Sequence, residues 1–180
     1  MSRPYFEEVQ KFRDNRWMWV IVFGASLSSI LPLANGLYWQ LYKGELWGNE
    51  PLSNNGIIML FLVVLISLGI ASAVLLSMKL EVKIDHEGIH YRFVPIKPKW
   101  QLITKDQIAE YKLVPRFKLF QSGGVGHHRN RLTKTRSFRI QGGKHLYLRL
   151  HNGEKLLLGT QNLEGIEWAM KRLMTINEPI

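Results

Sequence analysis

The sequence predicts a two-helix transmembrane hairpin followed by a domain of the α+β class that is mainly β. Two long uncharged stretches fill most of the first 78 residues, and the apolar residues beyond them alternate as they do in strands. A last segment has apolar residues at helical spacing. We therefore expect an N-terminal segment at 1–16, the hairpin at 17–78 and a separate domain at 79–180.

The hairpin prediction depends on two stretches that contain no charged side chain, Trp17–Tyr42 and Pro51–Met78. At about 1.5 Å per helical residue, each stretch is long enough to cross the roughly 30 Å hydrocarbon layer of a membrane. A cleaved signal peptide is the alternative for the first stretch, but its apolar part is too long and acidic residues precede it. Because neither stretch carries a charge, we expect an anchor and not an ion or proton pathway.

The basic residues beside these stretches predict their orientation. Positively charged residues collect on the cytoplasmic side of a membrane, and only Lys43 lies in the loop between the two stretches. Both ends of the chain are therefore expected in the cytoplasm. The flanking basic residues are Arg3, Lys11, Arg13 and Arg16 before the first stretch and Lys79, Lys83 and Arg92 after the second.

Small residues recur every four positions in both predicted helices, at Gly24 and Ser28 in the first and at Gly69, Ala73 and Ser77 in the second. Such stripes allow helix backbones to approach closely. We interpret them first as packing the hairpin internally. Contact between copies of the chain is the alternative.

The segment before the first stretch has Phe6, Val9 and Phe12 at helical spacing, with charged residues among them. This pattern predicts a short helix. The helix would either lie along the membrane surface or extend the first membrane helix.

Beyond the hairpin the pattern predicts a series of β-strands. Leu80–Asp85 and Ile89–Phe93 alternate between apolar and polar residues, on either side of a turn at 85–88. Further strands are expected at 100–103 and 108–115, where apolar residues alternate again. This order indicates a meander that begins directly after the second membrane helix.

The clearest local signal lies near the C-terminus. Leu146–Leu150 alternates, Asn152-Gly153 favours a tight hairpin turn, and Lys155–Leu158 forms the returning strand. A final amphipathic helix is expected over Leu163–Met174, with Asn162 as its N-cap. The inward positions of that helix are Ile166, Ala169, Met170 and Leu173.

Together these features resemble those of bacterial pleckstrin-homology-like (PH-like) domains, many of which follow a pair of membrane spans. The resemblance covers residues 80–175 and is carried above all by Gly123-Gly124-Val125-Gly126 and by Leu158-Gly159-Thr160-Gln161 before the last helix. Val125 stands where an aromatic residue is more usual. The resemblance implies a seven-stranded bent antiparallel barrel capped by a C-terminal helix, without established catalytic residues. It also implies a multi-pass protein of the bacterial inner (plasma) membrane.

The composition excludes several kinds of site and predicts the charge of the domain's surroundings. The chain has no cysteine, which excludes disulfides, thiolate zinc sites and cysteine nucleophiles. Its formal net charge is +10, and residues 79–180 hold nineteen basic and nine acidic side chains, which accounts for the whole excess. The domain is therefore expected next to an anionic surface.

The stretch 120–137 is predicted to be an exposed, glycine-rich loop, and its basic residues supply the candidate site. They lie close together without an acidic residue between them, so they suit anionic lipid headgroups, each adding about 1 kcal/mol near such a surface. A solvated loop without a ligand is the alternative, and nucleic acid is disfavoured because no recognised binding motif is present. The candidate lipid- or anion-binding residues are Gly123, Gly124, Gly126, His127, His128, Arg129, Arg131, Lys134, Arg136 and Arg139.

No catalytic, cofactor or metal site is expected. The glycines at 123–126 are not followed by the Lys-Ser/Thr of a nucleotide-binding P-loop. His127 and His128 have no nearby carboxylate to complete a metal-ligand set, and no pattern joins a nucleophile to a base. Five aromatic residues are expected in the core: Trp100, Tyr111, Phe138, Tyr147 and Trp168.

The expected function is therefore binding at a membrane. The domain would act as a scaffold at the cytoplasmic face, engaging anionic lipid, a protein partner or both. The alternative is an accessory subunit of a larger membrane complex that assembles through its transmembrane helices, and a homo-oligomer is one form of such an assembly.

Overall fold

The protein is described by a computed structural model and belongs to the α+β class, with three α-helices and two β-sheets among the described residues. The chain divides into two compact units. The larger unit joins Met1–Asp14 to Ser77–Ile180, and the smaller unit is Asn15–Leu76. The described residues are 3–115, 126–130, 133–140 and 143–175.

Two long apolar helices make up most of the smaller unit. Helix α1 spans Arg16–Leu37 and continues in π-helical turns over Tyr38–Lys43, and helix α2 spans Asn54–Ser77. The side chain of Asn15 caps α1, because its oxygen accepts a hydrogen bond from the backbone N–H of Trp17 at 3.1 Å. Both helices are long and apolar enough to cross a membrane, with mean hydropathies of 1.7 and 2.9. Only 0% and 6% of their most apolar segments is buried within the protein, so most of their apolar side chains face outward.

The hairpin is packed near the loop that joins its two helices. A Cβ atom at Gly36 would lie 2.6 Å from the ring of Trp47 and 3.1 Å from the side chain of Ile57, so a larger residue would displace these groups. Nearby, the amide nitrogen of Gln40 donates a hydrogen bond to the backbone oxygen of Leu52 at 2.6 Å. These contacts, made at the loop end, fix how the two helices approach each other there.

The small-residue stripes do not provide the internal packing expected of them. All five residues, Gly24, Ser28, Gly69, Ala73 and Ser77, are exposed. No atom beyond the local helix backbone lies within 4 Å of the place where a Cβ would stand at Gly24 or Gly69. The spacing does place small residues at regular intervals along each helix, but these residues are exposed.

Sheet A of the larger unit has four antiparallel strands in the order β1-β2-β3-β4. Leu80, Val82 and Ile84 on β2 are buried on its inner face, as the alternating pattern predicted. The β2–β3 hairpin and its turn are therefore confirmed. The strands are β1 at Phe6–Lys11, β2 at Lys79–Ile84, β3 at Gly88–Val94 and β4 at Lys97–Thr104.

The first strand of sheet A corrects the prediction for the N-terminal segment. Residues 6–11 form β1, which pairs with β2 from Phe6 opposite Ile84 to Lys11 opposite Lys79, and a single 3₁₀ turn follows over Phe12–Asp14. The predicted helix is wrong because a strand partner more than 65 residues away in the sequence competes with local helix formation.

Sheet B has five strands in the order β5-β8-β9-β7-β6, and all of its pairings are antiparallel except that between β7 and β9. The β8–β9 hairpin and the strand at 108–114 are confirmed. The loop prediction is wrong over 126–130 and 135–137, where β6 and β7 form. The strands are β5 at Ile108–Val114, β6 at Gly126–Asn130, β7 at Thr135–Arg139, β8 at His145–Leu150 and β9 at Lys155–Gly159.

Sheets A and B pack together through aromatic side chains. The Phe138 ring of β7 lies 5.3 Å from the ring of Tyr91 and 5.9 Å from that of Phe93. Phe138 is completely buried, as predicted, whereas Trp100 and Trp168 are 38% and 54% exposed and do not belong to the core. Among the described residues the strands form two sheets without closure into a barrel, so the seven-stranded PH-like barrel stays a prediction.

The final helix, α3 at Leu163–Thr175, confirms its prediction. The side-chain oxygen of Asn162 accepts a hydrogen bond from the backbone N–H of Gly165 at 2.8 Å, which caps the helix. The helix packs against β1, β2 and β8, so it touches both sheets. Its buried residues are those expected, Ile166, Ala169, Met170 and Leu173.

A polar corner ties the N-terminal strand to the beginning of this helix. The carboxylate of Glu8 accepts hydrogen bonds from the Thr160 hydroxyl at 2.6 Å and from the backbone N–H of Gln161 at 2.7 Å. The buried amide of Gln10 donates to the backbone oxygen of Gly159 at 2.7 Å. Strand β1 therefore holds the end of β9 as well as the edge of sheet A.

Replacing Glu8 with alanine tests this corner. Hydrogen bonds to a charged group contribute about 1.5–3 kcal/mol each when one partner is removed, so we expect the free energy of unfolding of the larger unit to fall by about 2 kcal/mol or more. Glu7→Ala is the matched control, because Glu7 is exposed and pairs only across the strand with Lys83, at 2.9 Å. That loss should stay under about 1 kcal/mol. Hydrogen exchange of the β2 amides in the full chain measures both, and equal losses would contradict the assignment.

Candidate anion-binding site

The predicted anion-binding residues are carried by a hairpin of two strands and not by a loop. Gly123, Gly124 and Arg131 lie outside the described residues. The other seven are Gly126, His127, His128 and Arg129 on β6, Lys134 in the turn, and Arg136 and Arg139 on β7.

Arg139 does not belong to this surface, which corrects the sequence prediction. Only 1% of it is exposed, and its Nη1 atom lies 3.4 Å from Nε2 of the buried His145. A Cβ at Gly159 on the neighbouring strand would stand 3.2 Å from the Arg139 side chain, so the glycine leaves room for it. Burial lowers the pKa of Arg139. Because it is enclosed between strands, Arg139 contributes to the interior and cannot reach a membrane surface.

Arg136, three residues earlier on β7, is held from two directions. Its Nη2 atom lies 2.6 Å from a carboxylate oxygen of Glu154, and its guanidinium also donates a hydrogen bond to the Tyr91 hydroxyl. Burial raises the pKa of Tyr91, and the charge of Arg136 only partly opposes that rise. The side chain of Arg136 is 27% exposed, so a ligand from solution can still reach it.

Further positive side chains crowd around Arg136. The pKa of Lys97 is lowered by burial and then by the charges of Arg136 and Arg129. The ring of His127 stacks on Phe138 with centroids 4.7 Å apart, and its pKa is lowered by burial and then by Lys97, Arg136 and Arg129. These shifts show that the cations repel one another. We call this cluster the basic groove: Lys97, His127, Arg129, Lys134 and Arg136.

Two adjoining cavities meet at Arg136 of the basic groove. The larger has a volume of about 400 Å³ and lies between β4 and the β8–β9 hairpin, and the smaller has about 340 Å³ and lies between the β6–β7 and β8–β9 turns. Both volumes fall in the range of roughly 300–1,000 Å³ that is usual for small-ligand pockets. Arg136, Asn152 and Glu154 line both cavities and therefore form the wall between them.

The charge balance of the groove favours an anion. Among the described residues that line the smaller cavity, three are cations and Glu154 is the single acidic side chain. Positive charges held close together are stabilised when an opposite charge lies between them. The groove is thus suited to a phosphate or carboxylate group.

Sequence reasoning missed Lys97, Asn152 and Glu154 as parts of this site. Lys97 comes from β4 of sheet A. Asn152 and Glu154 join the site because β7 pairs in parallel with β9, and the backbone N–H of Lys155 donates a hydrogen bond to the oxygen of Lys134 at 3.0 Å. This pairing sets the β8–β9 turn beside the β6–β7 turn. Had β6 and β7 been recognised as strands, the sequence would have indicated this neighbouring turn, but their basic composition suggested a loop.

A second group of polar side chains lies in the β2–β3 turn, where ligand atoms of Asp85, Glu87 and His90 lie within 4.8 Å of one another. The Oδ1 atom of Asp85 accepts hydrogen bonds from the backbone N–H groups of Glu87 at 2.9 Å and Gly88 at 3.2 Å. Nε2 of His90 lies 3.1 Å from the other carboxylate oxygen of Asp85. These contacts close the turn that the sequence predicted, and they account for the cluster as a turn motif.

No protein-family model, curated protein or solved structure matches the chain. The function is therefore inferred from the geometry and charge of the chain's own residues. The likeness to PH-like domains remains a resemblance carried by short motifs.

Two histidines, the half-buried His127 and the buried His145, predict how stability responds to pH. The pKa values of His127 and His145 both lie below the usual histidine value of 6.5, so the unfolded chain binds protons there more readily than the folded chain. The free energy of unfolding should therefore fall as the pH drops from 7 towards 5. His127→Gln removes one contribution and should make this fall shallower, and His86→Gln in the exposed β2–β3 turn is the control. Denaturant titrations at several pH values test this, and an unchanged slope in His127→Gln would contradict it.

Proposed function

We propose that the protein is a membrane-anchored binding module whose basic groove engages anionic groups at the cytoplasmic face of a bacterial inner membrane. The convergence of Arg129, Lys134 and Arg136 around the smaller cavity carries this proposal, and Lys97 lies close enough for the charges of Arg136 and Arg129 to lower its pKa. It supports a role in binding and scaffolding.

The two apolar helices support the membrane anchor. Few of their side chains are buried within the protein, which in water would leave a large apolar surface exposed, at a cost of about 25 cal/mol per Å². A hydrocarbon layer covers such side chains and leaves no backbone group unsatisfied, because each helix makes its own hydrogen bonds. The excess of basic residues outside the connecting loop supports the cytoplasmic placement of both ends.

The pairing of β1 with β2 supports the same topology. Lys11 lies opposite Lys79, and these two residues stand just before α1 and just after α2. A chain that leaves and re-enters one sheet at neighbouring points must cross a membrane an even number of times in between. Two crossings, one by α1 and one by α2, satisfy this condition.

The arrangement of the sheets and α3 supports the PH-like interpretation at a coarse level. Helix α3 touches both sheets, as a capping helix would. The outer strands β5 and β6 of sheet B also offer edges at which a strand of a protein partner can pair. Protein binding through such an edge is compatible with lipid binding in the groove.

Lipid preference tests the proposal. The full chain in phosphatidylcholine nanodiscs should bind added phosphatidylglycerol vesicles at low salt and should not bind phosphatidylcholine vesicles. Replacing Arg129 and Lys134 together with glutamine removes two cations worth about 1 kcal/mol each at an anionic surface, so binding should weaken roughly thirtyfold.

The matched control replaces two exposed lysines elsewhere in the same unit, Lys112→Gln with Lys171→Gln. They pair with Glu110 and Glu167 on other surfaces. This variant loses the same net charge and should keep most of the binding. Equal binding to neutral and anionic vesicles, or equal losses in both variants, would contradict the proposal.

A further inference from the structure

The smaller cavity of the basic groove has the form of a discrete site. Two turns build it, because Arg129 and Asn130 end β6, Lys134 lies in the β6–β7 turn, and Asn152 and Glu154 lie in the β8–β9 turn. The two turns are joined through the parallel pairing of β7 with β9. The positions of the charged side chains are therefore set by hydrogen-bonded strands.

The turns are also braced internally. The side-chain oxygen of Asn130 accepts a hydrogen bond from the backbone N–H of Thr133 at 3.3 Å, and that of Asn152 accepts one from the backbone N–H of Glu154 at 2.9 Å. The Asn152 oxygen is thus used by the turn, which leaves the amide N–H groups of that residue as its donors. The cavity wall therefore offers hydrogen-bond donors as well as charge.

The charge of the cavity matches a phosphate monoester better than a diester. Among the described residues that line it, Arg129, Lys134 and Arg136 carry three positive charges against one negative charge on Glu154, which leaves two in excess. A phosphate monoester carries about −1.5 to −2 at neutral pH and has three terminal oxygens that accept hydrogen bonds. A diester has one charge and two such oxygens, so it would leave part of the site unmatched.

Glu154 is already paired with Arg136, the cationic group best placed to bind that phosphate. Its carboxylate lies 2.6 Å from Arg136, whose guanidinium also donates a hydrogen bond to the Tyr91 hydroxyl. A carboxylate and a phosphate oxygen make the same kind of charge-assisted hydrogen bond with arginine. They must therefore compete for Arg136, or the phosphate must bind beside a negative charge.

We propose that the cavity formed by Arg129, Lys134, Arg136 and Asn152 binds a phosphate monoester group, and that Glu154 is a built-in competitor which weakens this binding. The inference deepens the proposed function and rests on it, since it assigns a ligand class to part of the same groove. The phosphate belongs either to a lipid headgroup such as that of phosphatidate or to a small soluble molecule. Glu154 sets the affinity by holding Arg136 until a ligand of higher charge arrives.

The test compares two substitutions that remove one negative charge each. In Glu154→Gln the competitor is neutral, so inorganic phosphate should bind about tenfold more tightly to the full chain in phosphatidylcholine nanodiscs. Glu110→Gln is the matched control, because Glu110 on β5 pairs with Lys112 of the same strand and Arg149 of β8 and does not line either cavity. Calorimetric titration at constant ionic strength measures the affinities.

A third variant keeps the test independent of any structural effect at Glu154. Lys134 is exposed in its turn, so Lys134→Gln should fold normally and weaken phosphate binding about tenfold. The proposal is overturned if the wild type and Glu154→Gln both fail to bind phosphate at millimolar concentrations. It is also overturned if Glu154→Gln and Glu110→Gln bind phosphate equally.

A second arm identifies the source of the phosphate and separates this inference from the proposed function. If the ligand is a lipid, phosphatidate in the nanodiscs should displace inorganic phosphate from the cavity. If the ligand is a small soluble molecule, glycerol phosphate should displace inorganic phosphate equally well when the nanodiscs contain no phosphatidate. Binding of phosphatidylglycerol vesicles without any phosphate binding would retain the proposed function and overturn the inference. Phosphate binding without vesicle binding would support the site and overturn the lipid-surface function.

Discussion

The pairing of β1 with β2 is the constraint on which the rest of the structure depends. These strands precede and follow the two apolar helices, so 67 residues lie between Lys11 and Lys79, which face each other in the sheet. Closing so long a loop costs conformational entropy. The buried side chain of Phe6 and the corner made by Glu8 and Gln10 offset this cost. The larger unit is thus a single fold assembled from two separate parts of the chain, with the two helices between them in the sequence.

The two helices are inserted within the sequence of the larger unit and are not appended to its end. The chain enters the helices after Asp14 and returns at Ser77, so the larger unit has two covalent links to them, one after β1 and one before β2. If the helices form the membrane anchor of the proposed function, both links tie the module to the membrane. The proposal therefore describes a fixed docking surface and not a module recruited by its own affinity.

Local patterns predicted the elements whose partners are near in sequence. The β2–β3 and β8–β9 hairpins, the cap at Asn162 and the buried face of α3 follow from alternation, turn residues and helical spacing. Strand β1 was not predictable in this way, because Phe6 and Val9 fit a helix until β2 supplies hydrogen-bond partners. The sequence also identified the basic stretch, but it did not separate the exposed basic residues from the buried one. Arg139 differs in burial from Arg136 because β7 lies inside sheet B.

The basic groove brings positive charges together in a partly buried setting. Burial and mutual repulsion lower the pKa of Lys97 and His127, which means that the folded chain holds these groups in an unfavourable setting. Glu154 relieves part of that repulsion at Arg136. A bound anion would relieve the rest, so ligand binding should stabilise the same strands that form the site.

A disulfide between β1 and β2 tests the central claim most directly. The chain has no cysteine, so the double variant Glu7→Cys with Lys83→Cys carries a single possible pair, at positions that face each other in the sheet. After oxidation in isolated membranes and cleavage at a protease site inserted in the loop 44–53, the two fragments should stay joined until a reductant is added. Glu7→Cys with Lys79→Cys, offset by about 13 Å along β2, should separate. Fragments that separate in both variants, or stay joined equally in both, would contradict a fold built across the hairpin.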